Sequence, residues 1–180
     1  TVPGLYHEVR PGARYFHSLR LLQRAKGLDP LMVTKYGIMV GVIADGPDEV
    51  RRAVREQLRH DVDQIKVMAS GGAMSPGDEL DTTQYTVDEM RAAVEEARAV
   101  GKYVLAHAYS GSAIRNAIQA GVRCIEHGNL LDEAGAQAIK AAGAYLVPTM
   151  VTYEAISREG KNYGIGDHQI QKINLALEKS

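Results

Sequence analysis

From Ile38 onward, short apolar runs alternate with amphipathic stretches, and glycine punctuates each alternation. The run over 38–43 is too short for a buried helix and rich in β-branched residues, so it predicts a strand. Asp45-Gly46 marks a turn. Pro47, Asp48 and Glu49 then open a helix to about Arg59, with proline in its first turn and acids at the positive end of its dipole. A second strand is predicted over 64–69, followed by a Gly/Pro/Asp-rich loop over 70–84. The next helix starts at Thr86, where Glu89 completes a T-x-x-E capping box, and ends at Val100-Gly101. Strands over 103–106, 122–126 and 144–148 then alternate with helices over 112–120 and 132–142, which Gly121 and Gly143 close. A last helical segment lies near 170–177.

Residues 1–37 read differently. Prolines and glycines cut them short, and the one helix they predict, over 14–26, rests on Phe16, Leu19, Leu22 and Ala25 at helical spacing, with Gly27 as its stop. The expected organisation is one domain, with 1–37 as an irregular or helical N-terminal segment and 38–180 as repeating β/α units. Strands separated by helices at this spacing require parallel pairing through right-handed crossovers, so the fold class is α/β.

Placement of polar residues selects a barrel over an open sheet. Ser70 and Gly71 follow the second predicted strand, His107 and Tyr109 the third, His127 and Asn129 the fourth and Thr149 the fifth. A (β/α)8 TIM barrel gathers such strand ends at one mouth, whereas an open sheet spreads them along an edge. No G-x-G-x-x-G follows a strand. Only about five units are predicted, and a closed barrel takes about 250 residues. The 180-residue chain, which starts at Thr1 without a methionine, is therefore expected to be an incomplete barrel from a larger enzyme. Open sheet edges predict aggregation or homo-oligomerisation when it stands alone.

Composition narrows the partners. At 45% hydrophobic and 24% charged, the chain can build a packed core. A net charge of −1, from 21 basic and 22 acidic residues, lacks the basic excess that nucleic acid or an anionic membrane requires. No apolar run approaches the roughly 18 residues of a membrane span, and no signal-peptide pattern opens the chain, so a cytoplasmic location is expected. Cys124 stands alone, which excludes an internal disulfide and any multi-cysteine zinc site.

Three residues draw attention as chemistry. Lys66 sits inside an apolar strand, where a free ammonium is costly to desolvate. A snorkelling or carboxylate-paired lysine, a Schiff-base lysine and a lysine modified into an anion all fit that position. His107 and His127 end consecutive parallel strands about 4.8 Å apart, so their imidazoles can converge on one ion such as zinc. Gly128 leaves room beside the second. Cys124 reads as a small core hydrophobe, Arg51, Arg52, Arg55 and Arg59 as a solvated helix face, and His60 as an exposed turn residue.

The segments D-Q-I-K-V-M-A-S-G-G over 63–72, Y-V-L-A-H-A-Y over 103–109, C-I-E-H-G-N over 124–129 and A-Y-L-V-P-T over 144–149 resemble the metal-dependent amidohydrolase superfamily. The branch they are most similar to holds prolidase-like and imidazolonepropionase-like dipeptidases, and the resemblance runs from about Gly41 to Gly164. It implies a carboxylated lysine at Lys66 and divalent-metal ligands at His107 and His127. The metal is usually zinc and binuclear in the intact family, and a metal-activated hydroxide attacks an amide carbonyl of a dipeptide or related cyclic amide. It further implies substrate contact by Tyr109, with Ser70 and Gly71 shaping the mouth.

Two family features are missing. No two of the histidines at 7, 17, 60, 107, 127 and 168 form the H-x-H of the first strand, and no late strand supplies the general-base aspartate, for which Asp167 is a poor substitute. Metal-dependent amide hydrolysis is therefore the leading expectation, with no catalytic residue assigned. A scaffold lacking catalysis and a Schiff-base lyase using Lys66 are the alternatives.

Overall fold

A computed structural model describes residues 21–23, 41–75 and 77–180. Six parallel strands form one sheet: β1 (Leu21–Gln23), β2 (Gly41–Ile43), β3 (Ile65–Met68), β4 (Val104–Ser110), β5 (Cys124–Leu130) and β6 (Tyr145–Val147). The helices are α1 (Gly46–Arg59), α2 (Val87–Ala99), α3 (Gly111–Ala120), α4 (Glu133–Ala142), α5 (Met150–Glu159) and α6 (Asp167–Lys179), with a 3-10 turn over Gly160–Tyr163. The all-parallel β/α alternation is the expected α/β class.

Spatial order is β2-β1-β3-β4-β5-β6. The consecutive neighbours expected of a barrel run from β3 to β6, while β1 inserts between β2 and β3. This overturns one expectation. Leu21–Gln23 lie inside the helix predicted over 14–26, yet they pair in parallel with β2 on one side and with Val67 of β3 on the other. Ladder bonds from two neighbours satisfy this backbone, and tertiary pairing overrides a weak helical periodicity. The remainder of that predicted helix lies outside the described residues, as does 38–40 of the first predicted strand.

Local signals account for most helix ends. The Thr86–Glu89 capping box forms in both directions, and Asp132 caps α4 by accepting from the Gly135 amide at 2.7 Å. Gly121 and Gly143 adopt left-handed φ of 93° and 61° after α3 and α4. The sheet face carrying Ile65, Val67, Val104, Ala106, Ala108 and Ile125 is buried to 2% exposure or less. It packs with Val54, Met90, Ala93, Val94, Ile114 and Ala117 of the helices into the main core. Lys66, Met68, Leu105, Cys124 and Glu126, between these positions, are only half-buried, and all three residues of β6 are exposed. One face is therefore helix-covered and the other, a barrel's interior face, is partly open.

Above the strand ends, a smaller cluster of Ala73, Leu80, Tyr109, Tyr153, Ile173 and Ala176 joins the long loop to α5 and α6. No helix among the described residues is long and apolar enough to cross a membrane. Arg51 and Arg55 lie on the solvated helix face as expected and from there bind α2: Arg51 donates to Glu95 at 2.8 Å, and Arg55 makes a two-pronged contact with Glu96 at 2.7 and 2.8 Å.

Glu89, 3% exposed, also accepts from the Gly46 amide at 2.9 Å and so joins the starts of α1 and α2. Glu89→Ala keeps the Thr86 cap but removes the carboxylate to which the Gly46 and Thr86 amides donate, so it is expected to lower stability by roughly 2–4 kcal/mol in urea denaturation. A loss below about 1 kcal/mol contradicts this role.

Candidate metal centre

Lys66 and His107 point to the interior face by ordinary strand alternation. Lys66 is level with Leu105 and Cys124, and His107 is level with Met68 and Glu126. His127 is not placed that way. It pairs with Ala108, whose side chain faces the helices, so a regular pleat would turn this imidazole away from His107. Two departures bring it back. The β4–β5 register shifts between Ala108 and Ser110, and His127 takes a left-handed φ of +78°. Gly128 follows at φ +67°, and a Cβ there would collide with Leu146. The result is two imidazoles with ring centroids 4.6 Å apart, edge to face.

Each ring commits one nitrogen. His107 Nε2 lies 3.0 Å from the Gly71 carbonyl, and His127 Nδ1 lies 2.7 Å from Thr149 Oγ1. His107 Nδ1 and His127 Nε2 are the nitrogens left for a ligand. Burial pushes the His107 pKa down to about 4, against the Gly71 bond and with help from Lys66. Burial likewise lowers His127, to about 2, reinforced by His107 and Lys66. Burial brings Lys66 to about 8, although Glu126 and Cys124 favour its charged form. Neutral imidazoles and an amine close to losing its proton form a donor set that suits a divalent cation of zinc's type. Among the described residues no three His, Cys, Asp or Glu side chains come together as a metal cluster, and Lys66 is the cation whose charge reaches both imidazoles.

His107, His127 and Tyr109 line a cavity of about 250 Å³, walled by Met68, Met74, Ile156 and Ile173. Tyr109 stacks on His127 at 5.3 Å and 18° and meets Tyr153 oxygen to oxygen at 2.6 Å. Ser70 and Gly71 do not line the cavity. Ser70 is fully buried, accepts from the Tyr109 amide at 3.0 Å and donates to the Gly71 carbonyl, so both brace the wall from behind. Cys124 is half-buried and donates to Glu126 at 3.3 Å, so it is more than a core hydrophobe; burial, with that bond, raises its thiol to about 12. His60 is exposed, as expected, and Asp167 pairs with Lys161 at 2.7 Å on the surface.

Sequence reasoning missed Tyr153, Lys172 and Asp78. Asp78 is the one carboxylate lining the cavity among the described residues, and Gln84 holds it at 3.2 Å. Lys172, 4% exposed, donates to the carbonyls of Gly72, Ser75 and Asp78 and so ties the loop to α6. A lysine in an amphipathic helix gives no sign of that. Tyr153 had one usable signal: it stands four residues after the strand-end Thr149, one helical turn on.

A model of the amidohydrolase family matches residues 8–180. The chain belongs to the amidohydrolase family. Ochratoxinase from Aspergillus niger is 42% identical over 112 residues, which are 62% of this chain and 23% of that protein. Among solved structures, an amidohydrolase superposes with a TM-score of 0.81 at 46% identity, over 89% of this chain and 42% of the other. A prolidase in complex with N-methylphosphonate-L-proline superposes with a TM-score of 0.81 at 41% identity, over 89% of this chain and 42% of its own. This amidohydrolase chain thus spans less than half the length of those relatives, and its α/β sheet is an incomplete TIM barrel.

The buried imidazoles set a pH test on the metal-free protein. Their folded pKa values lie below the ordinary 6.5, so the unfolded chain takes up protons first as pH falls. Stability is full above 6.5 and drains as pH drops toward the folded values. Between pH 7.5 and 5, His107 alone is expected to cost about 2 kcal/mol, read by urea denaturation as the part of the loss that disappears in His107→Gln while the His127 part remains. Constant stability across that range contradicts it.

Proposed function

We propose that the protein containing this chain hydrolyses an amide bond using a divalent metal, zinc by the character of its donors. His107, His127 and a carbamylated Lys66 hold the metal. The observation that carries this reading is the convergence of two neutral imidazoles at 4.6 Å, each with one uncommitted nitrogen, on the face that also carries the half-buried Lys66. Carbamylation joins the lysine nitrogen to the carbon of CO2 with loss of one proton, and it requires the neutral amine that burial favours at Lys66. The product exchanges an awkward cation for an anionic oxygen ligand. When bound, the metal supplies Lewis-acid polarisation of the amide carbonyl and lowers the pKa of water.

The chain's own residues do the rest. Burial, with the neighbouring Tyr153, raises the Tyr109 pKa, so its phenol stays protonated and serves as a donor to a substrate oxygen. The methionine and isoleucine walls make much of the cavity apolar, and its size suits a small substrate. A dipeptide or related cyclic amide fits, and likeness to the prolidase with its proline phosphonate supports dipeptides ending in proline as the first to try.

Dipeptides assayed with the full-length natural protein test the reading. The zinc-loaded enzyme is expected to cleave at least one, to lose activity to a chelator and to regain it with zinc. His107→Asn and His127→Asn should each lose more than the roughly 10–100-fold that residues supporting a metal site cost. Undiminished turnover without metal, or in both variants, refutes the proposal.

A further inference from the structure

The first turn of α5 touches both halves of the pocket. Thr149 occupies the N-cap position of that helix, where a threonine ordinarily gives its hydroxyl to the helix's own amides. Here it makes no such cap. It is held instead at φ +52°, a strained conformation for a β-branched residue, and its hydroxyl meets His127 Nδ1 at 2.7 Å. His127 is itself left-handed, so two strained residues face each other across one short hydrogen bond. One turn later Tyr153, 4% exposed, meets the Tyr109 hydroxyl at 2.6 Å. One turn of α5 thus touches His127 through Thr149 and Tyr109 through Tyr153.

We propose that Thr149 and Tyr153 are positioning residues, by which one turn of α5 orients both His127 and Tyr109. This rests on the reading of His127 as a ligand through Nε2. A neutral imidazole with a free Nε2 carries its proton on Nδ1. That N–H donates to Thr149 Oγ1 at 2.7 Å. The Tyr153 hydroxyl, 2.6 Å from that of Tyr109, holds the phenol in place at the cavity wall.

Two measurements on the natural protein test this. Nitrogen-15 NMR of histidine in the metal-free protein reads the tautomer directly. His127 is expected to be protonated on Nδ1 in the wild type and in Thr149→Ser, and to lose that preference in Thr149→Val. A proton on Nε2 in the wild type, or a Thr149→Val spectrum unchanged from it, overturns the Thr149 arm whatever the protein hydrolyses.

The second measurement is a kinetic cycle on a cleaved dipeptide with Tyr153→Phe, Tyr109→Phe and the double variant. Tyr153→Phe should raise KM about three- to tenfold, the worth of one hydrogen bond, with kcat within about twofold. In the Tyr109→Phe background it should add nothing, because it acts through that phenol. Independent, multiplying effects overturn the Tyr153 arm. A protein with the predicted tautomer but no amide turnover overturns the hydrolase reading and leaves the His127–Thr149 link standing.

Discussion

The chemistry of this chain depends on one backbone irregularity, the left-handed turn at His127. Parallel pairing of β4 with β5 places His127 beside Ala108, on the side of the sheet that the helices cover. A φ of +78° reverses its direction and sets its ring 4.6 Å from that of His107. A non-glycine residue there costs of order 1–3 kcal/mol, a cost sustained only when the surroundings over-determine it. The surroundings do so: Gly128 lets Leu146 approach, Thr149 holds Nδ1, and the Tyr109 ring stacks against the imidazole. The strained residue is the one that completes the candidate site.

Around that turn the fold divides its labour. The helix-covered face of the sheet supplies rigidity through a dry aliphatic core. The strand ends carry the polar groups, and α5, α6 and the loop after β3 close over them as a second cluster. Lys172 anchors this cover, its ammonium satisfied by three loop carbonyls. Because every wall of the cavity except the strands comes from this cover, its shape depends on that buried cation. Hydrogen bonds to charged groups are the stronger kind, and removing this ammonium takes a donor from three carbonyls at once.

Much of this was legible in the sequence wherever local rules govern. The capping box at Thr86 and Glu89, the glycine stops at 121 and 143 and the β/α alternation follow from near neighbours, and the structure has them where expected. Lys66, His107 and His127 stood out because polar groups in apolar strands need a reason. What local rules do not govern stayed hidden. β4 and β5 extend to Ser110 and Leu130, past the point where the apolar run ends, because hydrogen-bonded neighbours rather than hydrophobicity carry those residues. Leu21–Gln23 became a strand through pairing on both sides. Sequence spacing put the two histidines together for the wrong reason, since plain alternation separates them and only the turn at His127 unites them. Tyr153 and Lys172 act across 44 residues and across 94 to 100 residues, beyond the reach of any short pattern.

The central claim is that His107, His127 and Lys66 share one inorganic centre. Diffraction from zinc-soaked crystals of the natural protein, collected at the zinc absorption edge, tests it most directly. The account predicts one anomalous peak about 2.0–2.1 Å from both His107 Nδ1 and His127 Nε2, with density for a carbamate on Lys66 reaching it. A peak bound elsewhere, with the two rings lacking a shared ion and Lys66 a plain amine, would contradict it.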